Sequence, residues 1–252
     1  RQARRTFKPH GAFPFNERLV SYKLDKRIVS IWTVGGRQKM PFVAGKMQLA
    51  MLLGLRGECD LVYRKGEFYL LQTCDVEEAD EIETDEFLGV DMGIANIAVD
   101  SDGTFHQGKT VRNVRHRHRR LRQKLQKRQT DSARRRLKKL SGRERRFAVN
   151  VNHCISKQLV KTAQDTARGI ALEDLTHIRQ RVTARRSQRA TLHSWAFADL
   201  RQKIEYKAQR AGIPVKLVDP RNTSRTCPAC GHVDGANRPS QATFLCTRCG
   251  CA

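Results

Sequence analysis

Two cysteine pairs near the end of the chain constrain the fold more than any other feature. Cys227-Pro228-Ala229-Cys230-Gly231 and Cys246-Thr247-Arg248-Cys249-Gly250 are both C-x2-C, and 15 residues separate them. Two intervening residues let one tight turn present both sulfurs to a tetrahedral ion, and two such turns complete the ligand set. The glycine after each pair permits the positive φ with which the chain leaves such a knuckle. A redox C-x-x-C is the other reading. Tandem pairs in a Gly- and Asn-containing loop favour structural zinc on Cys227, Cys230, Cys246 and Cys249. Cys59, Cys74, Cys154 and Cys251 lack such partners and read as ordinary reduced thiols, which suits a cytoplasmic setting.

Charge bounds the partner. Lys and Arg number 49 against 25 Asp and Glu, a net +24. Eight of the acids fall in residues 75–86, which hold no Lys or Arg, so the other 240 residues carry +32. A body that basic repels itself unless a polyanion neutralises it, which makes nucleic acid the expected partner. A hydrophobic content of 39% argues against a wholly disordered basic tail. At 6% aromatic, phosphate charge outweighs base stacking as the theme. No membrane partner is expected: the best apolar run, residues 49–55, is far short of the about 20 residues a span requires. The sequence opens on Arg1 without an apolar leader and stops one residue after its last cysteine; it reads as a fragment missing both ends.

Residues 1–74 read as mostly β. Runs at 19–24 and 28–34, bounded by Asp25-Lys26 and Gly35-Gly36, are short strands. Runs at 60–63 and 68–73 flank the turn Arg64-Lys65-Gly66-Glu67 as a hairpin. Periodicity does not decide between helix and strand for residues 47–53. The spacing suggests a small barrel or sandwich. The acidic stretch 75–86 reads as a solvated linker. Residues 88–99 give a strand signal, followed by the turn Asp100-Ser101-Asp102-Gly103 and a second strand from Thr104.

Residues 112–146 hold 17 Lys and Arg against two acids, a net +15 in 35 residues. Leu121/Leu125 and Leu137/Leu140 are spaced as one face of each of two helices, with Asp131-Ser132 as turn and N-cap between them. Like charges four apart on a helix repel, so this density points beyond a merely solvated face. The candidate phosphate contacts are Arg115, Arg117, Arg119, Arg120, Arg122, Lys124, Arg134, Arg135, Arg136, Lys138 and Lys139. A helical stripe continues through Phe147, Val151, Cys154/Ile155 and Leu159. Residues 170–175 form an apolar strand ending in two acids. Residues 195–211, starting at Trp195, form an amphipathic helix with Phe197, Leu200 and Ile204 on one face and Gly212 as its stop. A last strand at 213–218 has Pro214 near its start. This order indicates an α/β domain with a mixed sheet.

Two acids stand inside apolar strands: Asp91 in Leu88-Gly89-Val90-Asp91-Met92-Gly93-Ile94, and Glu173 in Ile170-Ala171-Leu172-Glu173-Asp174-Leu175. A carboxylate there costs free energy unless it is paired or metal-bound. Buried-edge acids often only accept backbone N–H bonds or pair with Arg. If the two strands are neighbours, however, the pair could share divalent cations.

These two segments resemble the first and second RuvC motifs of the TnpB family, transposon-encoded RNA-guided nucleases related to type V CRISPR effectors. Leu200, Tyr206-Lys207, Gly212, Val218-Asp219-Pro220 and Thr223-Ser224-Arg225-Thr226-Cys227 through Gly231 resemble the family's lead-in to its zinc ribbon, and Phe244-Leu245-Cys246 through Gly250 its close. The resemblance runs from about residue 60 to the end and implies an α/β fold: an RNase H-like RuvC domain with a mixed sheet and inserted basic helices. A partial β-rich, oligonucleotide-binding-like wedge would precede it and a zinc ribbon would follow. The implied boundaries are 1–74 for the wedge, 75–86 for the linker, 87–222 for the RuvC domain and 223–252 for the ribbon. Also implied are Mg²⁺ on Asp91 and Glu173, a guide RNA, a DNA target, two-metal phosphodiester hydrolysis for a transposable element, and a prokaryotic, nucleoid-associated cytoplasmic protein. The family's third RuvC motif, with its Asp, would follow the ribbon; the sequence stops before it, so the resemblance implies two of the three expected metal-binding carboxylates and a fragment inactive for lack of the third acid. Asp174 reads as a supporting group and Asp219 as a turn acceptor. Two other functions compete: a nuclease-dead RNA-guided DNA binder, and a zinc-ribbon accessory protein of a transposon.

Overall fold

A computed structural model describes residues 11–175, 197–219, 221–240 and 243–252. Two compact units divide the chain, the first ending at Glu77 and the second starting at Glu78.

The first unit is β-rich. Strands β1 (Phe13–Phe15), β5 (Leu55–Arg64) and β6 (Glu67–Cys74) form one antiparallel sheet in the order β1-β5-β6, and β2 (Val20–Lys23), β3 (Ile28–Thr33) and β4 (Gly36–Pro41) form a second meander. Phe15, Val20, Val29, Ile31 and Cys59, drawn from both sheets, share a small core. Lys65 and Gly66 both take positive φ, at 56° and 92°, as a primed hairpin turn matching the strand twist requires. Residues 47–53 resolve as helix α1 (Lys46–Met51) running into a short 3₁₀ turn (Leu52–Gly54). Strands β1 and β4 escape a reading based on apolar runs: the first has three residues, and the second is Gly-Arg-Gln-Lys-Met-Pro, paired along its whole length with β3.

The second unit is built on a five-stranded mixed sheet: β7 (Phe87–Asp91), β8 (Asn96–Asp100), β9 (Phe105–Gln107), β10 (Gly169–Glu173) and β11 (Val215–Val218), in the order β11-β10-β7-β8-β9. The first three strands form an antiparallel meander, and β10 and β11 join parallel to β7. The 88–99 run is therefore two strands, not one. The Met92–Ala95 turn breaks it, and Gly93 approaches within 3.0 Å of the Asn96 carbonyl at the position a Cβ would take. Helices α2 (Lys109–Arg128), α3 (Asp131–Leu140) and α4 (Arg143–Asp165) connect β9 to β10, and α5 (Phe197–Arg210) precedes β11. Leu88, Val90, Ile170 and Leu172 of the sheet pack with Ile155, Leu159 and Ala163 of α4 and Leu200, Ile204 and Ala208 of α5.

Several local readings change. Thr130, not Asp131-Ser132, caps α3: its hydroxyl accepts from the Ala133 N–H at 3.2 Å, and Asp131 sits inside the first turn. The α4 stripe keeps Ile155 and Leu159 buried with Phe147 and Val151 packed half-buried against the same core, adds Ala148, Asn152 and Ala163, and leaves Cys154 exposed. Trp195 and Pro220 lie outside the described residues. In the acidic stretch, Ala79 and Ile82 donate to the Arg210 and Gly212 carbonyls at 3.3 and 2.9 Å, Glu78 accepts from Gln209 at 3.0 Å, and Ile82 packs on the core. Gly212, at φ +66°, does more than stop α5: a Cβ there would collide with the Asp80 carbonyl. Among the described residues no helix is long and apolar enough to cross a membrane.

Candidate metal centre, carboxylate pair and basic helices

The cysteine cluster assembles from two matching turns. Gly231 N–H donates to the Cys227 carbonyl and Gly250 N–H to the Cys246 carbonyl, each at 2.9 Å, and both glycines have positive φ, at 69° and 71°. Cys227 and Cys246 are 1% and 2% exposed, while Cys230 and Cys249 lie at the surface. The sulfurs of Cys227 and Cys249 are 3.5 Å apart, those of Cys230 and Cys246 3.6 Å apart, and all four ligand atoms lie within 4.8 Å of one another. A tetrahedron with Zn–S of about 2.3 Å has sulfur–sulfur edges of about 3.8 Å, so the four thiols fit one zinc ion. Burial pushes the Cys227 thiol up, but the N–H groups of Cys230 and Ala229 and the neighbouring thiols outweigh it and pull it down to about 6. For Cys249 the balance is reversed. The Cys251 N–H favours its thiolate, yet the sulfurs of Cys230, Cys227 and Cys246 push it up to about 12. A dication would relieve this crowding of sulfur charge.

A residue the sequence reading passed over holds the two turns together. Asn237 is fully buried. Its amide N–H₂ donates to the Arg225 and His232 carbonyls at 2.8 and 3.1 Å, on the first turn. Its Oδ1 accepts from the Thr247 N–H and hydroxyl at 2.9 and 3.0 Å, on the second. No periodicity or spacing marks this residue; it ends a short 3₁₀ turn (Gly235–Asn237) between the pairs.

Asp91 and Glu173 are placed by the sheet. Each is the last residue of its strand, and β7 and β10 are parallel with Val90 opposite Leu172, so the register carried one residue further sets Asp91 beside Glu173. The carboxyl ends of adjacent parallel strands are where open α/β sheets bind ligands. Burial, and then the negative charge of Asp91, push the Glu173 carboxyl above the usual range. Two oxygen-donor side chains that repel each other suit a hard divalent cation.

Asp174 turns instead to α5: Arg201 donates to it at 2.9 Å and to Glu205 at 2.7 Å, and the Asp174 N–H donates to the Val218 carbonyl at 2.8 Å. Arg201 was not singled out in the sequence, where it is one arginine among many. Asp219 accepts from the Arg221 N–H at 2.9 Å, as a turn acceptor does. Between α4 and α5, Asp199 accepts from Asn152 of α4 and from Lys203, both at 2.7 Å. Lys207 donates to the Ser156 hydroxyl and the His153 carbonyl, both at 2.7 Å.

Of the eleven basic candidates, ten are exposed: Arg117, Arg119, Arg120, Arg122 and Lys124 on α2, and Arg134, Arg135, Arg136, Lys138 and Lys139 on α3. Arg115 differs. Its side chain is 13% exposed and lies 3.6 Å from Glu144, which also accepts from Arg122 at 3.1 Å. Arg115 faces α4 because it lies one turn after buried Val111, on the apolar side of α2. The exposed arginines and lysines present a dense positive surface to solvent.

Residues 72–179 match the family described as a probable transposase of the OrfB type, and residues 197–252 match the Cas12f1-like TNB domain. The chain is 43% identical over 105 residues to a CRISPR-associated endodeoxyribonuclease Cas12f1 of Sulfoacidibacillus thermotolerans, covering 41% of this chain and 24% of that protein. It is 42% identical over 96 residues to a TnpB-like protein of Methanocaldococcus jannaschii, covering 38% and 34%. A Cas12f2 of a Micrarchaeota archaeon is 30% identical over 204 residues, covering 74% and 37%. The chain thus spans well under half the length of the curated relatives it matches. In fold it resembles the protein in a cryo-EM structure of a Cas12f1–sgRNA–target DNA complex, with a TM-score of 0.58 and 18% identity, over 95% of this chain and 57% of that one. The chain thus carries an OrfB-type probable-transposase segment and a Cas12f1-like TNB segment, and its relatives, each matched over part of its length, are TnpB-like and Cas12f proteins.

Proposed function

We propose that this chain takes part in RNA-guided cutting of DNA for a mobile element, with an RNase H-like RuvC site hydrolysing the phosphodiester. The observation that carries this reading is the meeting of Asp91 and Glu173 at the ends of parallel β7 and β10. The sheet order, an antiparallel meander extended by two parallel strands, supports the RNase H-like assignment. In the cytoplasm of a prokaryotic cell the ligands would be a guide RNA and its DNA target.

Asp91 and Glu173 would hold Mg²⁺, which when bound supplies Lewis-acid polarisation of the phosphate and activation of water. The protein's own contribution is positional. The parallel register fixes the spacing of the two carboxylates, and both must be deprotonated to bind a cation. Arg201 keeps Asp174 turned toward α5, so the strand end offers Glu173 to the site. The ten exposed basic residues of α2 and α3 would lie along guide or target phosphates and hold the duplex without reading bases. The four-cysteine ribbon stabilises its own segment. The first unit would correspond to part of a wedge domain.

The test is guide-programmed, Mg²⁺-dependent cleavage of a labelled duplex by a form of the protein that carries the family's third acid, and by its Asp91→Ala and Glu173→Ala variants. Each substitution is expected to slow cutting on the order of a thousandfold, about 4 kcal/mol of barrier. Binding of guide and target should survive, because it rests on Lys and Arg. Guide-dependent binding without cutting by the parent would favour the nuclease-dead binder. Cutting that survives both substitutions would move the active site elsewhere.

A further inference from the structure

Leu137 and Leu140, which mark the apolar face of α3, are only half-buried in the fold, and so is Val149 of α4. With buried Ala148 they form the apolar wall of a cleft of about 910 Å³ between α2, α3, α4 and the start of α5. The cleft opens where α3 ends. A helix of ten residues is about 15 Å long, half the length of α2, and the Ser141-Gly142 turn, with Gly142 at φ +78°, leads from it into α4. The volume lies within the range of about 300–1,000 Å³ typical of sites for small organic groups. Among the described residues, the cationic lining is Arg115, His118 and Arg122 from α2 and Arg145 from α4. The two acids of the lining are already engaged: Glu144 accepts from Arg122 at 3.1 Å and lies 3.6 Å from Arg115, and Asp199 accepts from Asn152 and Lys203. Arg115 sits inside, 13% exposed against 56% for Arg122. Burial pushes its guanidinium down more than Glu144 raises it, so an anion entering the cleft would offset that cost. Arg122 belongs both to the cleft and to the exposed basic surface of α2, so a strand held along that surface passes the opening.

We propose that this cleft takes one unpaired nucleotide of a strand bound along α2, with its base against Leu137, Leu140 and Val149 and its phosphate at Arg122 and Arg145. The inference rests on the reading that α2 and α3 hold nucleic-acid phosphates. The lining decides the occupant. A base that has left its stack exposes flat ring faces to water, and an aliphatic wall removes them from it. Its phosphate supplies the negative charge that the arginines lack. A wholly apolar ligand would leave those cations without a partner charge, and a free anion would leave the leucines exposed. Paired bases are stacked inside their helix and cannot enter, so a regular duplex is held by its phosphates alone. Only a nucleotide in a loop, a bulge or an end reaches the cleft.

The experiment measures, by fluorescence anisotropy at one salt concentration, how the parent and Ala198→Leu bind three RNA duplexes. One is fully paired, one carries a single bulged nucleotide, and one carries the same bulge as an abasic residue. Ala198 lines the cleft at an exposed position, so a larger apolar side chain narrows the cleft without removing a cation. The parent is expected to bind the base-bearing bulge about tenfold tighter than the abasic one. Ala198→Leu should lose that preference and keep the parent's affinity for the paired duplex. The same three duplexes in DNA tell which kind of strand supplies the nucleotide, and the preference in either series supports the cleft. A 4-thiouridine at the bulge, crosslinked to the parent by ultraviolet light, should be found by mass spectrometry on cleft residues of α2, α3 or α4. Equal affinity of the parent for base-bearing and abasic bulges in both series would overturn the proposal. So would a preference undiminished in Ala198→Leu, or crosslinks confined to residues outside the cleft. A parent that binds none of the duplexes would instead defeat the phosphate reading of α2 and α3, a result distinct from all of these.

Discussion

The cysteine ribbon and the carboxylate pair are both candidate metal centres, yet they are assembled in opposite ways. Each half of the ribbon site lies within one turn, and 15 residues join the halves. Asp91 and Glu173 are 82 residues apart and meet only because β10 adds parallel to β7 after three helices. Local assembly makes a site whose ligands and structure are the same residues, so losing the metal means losing the fold of that segment. Assembly by a sheet makes a site whose frame stands on Leu88, Val90, Ile170 and Leu172 whether or not a cation is present. The ribbon should therefore be fragile to ligand loss and the carboxylate pair tolerant of it.

The sharpest break of that contrast is Cys227→Ser. Zinc content is expected to fall from about one equivalent to near zero, with rapid proteolysis confined to residues after about 222. The melting of the sheet and helices should be nearly unchanged. If the whole second unit melts with the ribbon, the two sites are not independent. The Asp91→Ala and Glu173→Ala proteins supply the opposite arm: cutting is lost, but relief of like-charge repulsion should leave their melting temperatures at or slightly above the parent's.

Asn237→Ala tests what joins the two turns. It removes four hydrogen bonds and strands the Thr247 N–H, while the His232 and Arg225 carbonyls keep the N–H groups of Cys227 and Asp234; the cost to the ribbon is about 2 kcal/mol. Zinc should still bind, with a faster release to chelator. An unchanged release rate would mean that metal alone holds the turns.

In the part of the second unit that carries the carboxylates, the α4–α5 network tests what charge contributes to the frame. Burial raises the Asp199 carboxyl, but the bonds from Lys203 and Asn152 outweigh it and hold it below the usual aspartate range. A carboxyl held low in the folded state stabilises the fold above its unfolded value, and that contribution is lost as pH falls through the lowered value. Asp199→Asn is expected to cost about 2 kcal/mol near neutral pH, measured by denaturant unfolding, because Lys203 loses its counter-charge. The gap from the parent should close in acid. A gap constant from neutral to acid would assign the effect to packing rather than charge.

The smallest effect on either centre is expected from replacing Arg134, Arg135 and Arg136 with Ala. Stability, zinc content and the carboxylate pair should not change. RNA affinity should fall alike for all sequences, and the slope of log affinity against log salt should flatten by about 2 to 3. An unchanged slope would show that α3 does not touch phosphate.

The physical range of each interaction decides how much could be read in the residues. The C-x2-C turns, the Gly231 and Gly250 conformations and the 64–67 hairpin depend on a few successive residues, and the sequence by itself determined them. So did the basic density of residues 112–146, because charge is a property of composition. Segments whose partners are distant were less legible. Residues 88–99 look like one strand until β7 and β8 fold back on each other. Arg115 looks like its neighbours until α4 brings Glu144 against it. Asn237 and Arg201 carry no local signature at all. Their roles are hydrogen bonds to other segments, and only the tertiary structure decided them. The pairing of Asp91 with Glu173 stands between the two cases. A carboxylate in an apolar strand already signals an unpaid desolvation cost, but which other group answers it depends on strand order, and strand order is fixed by how α4 and α5 cover the sheet.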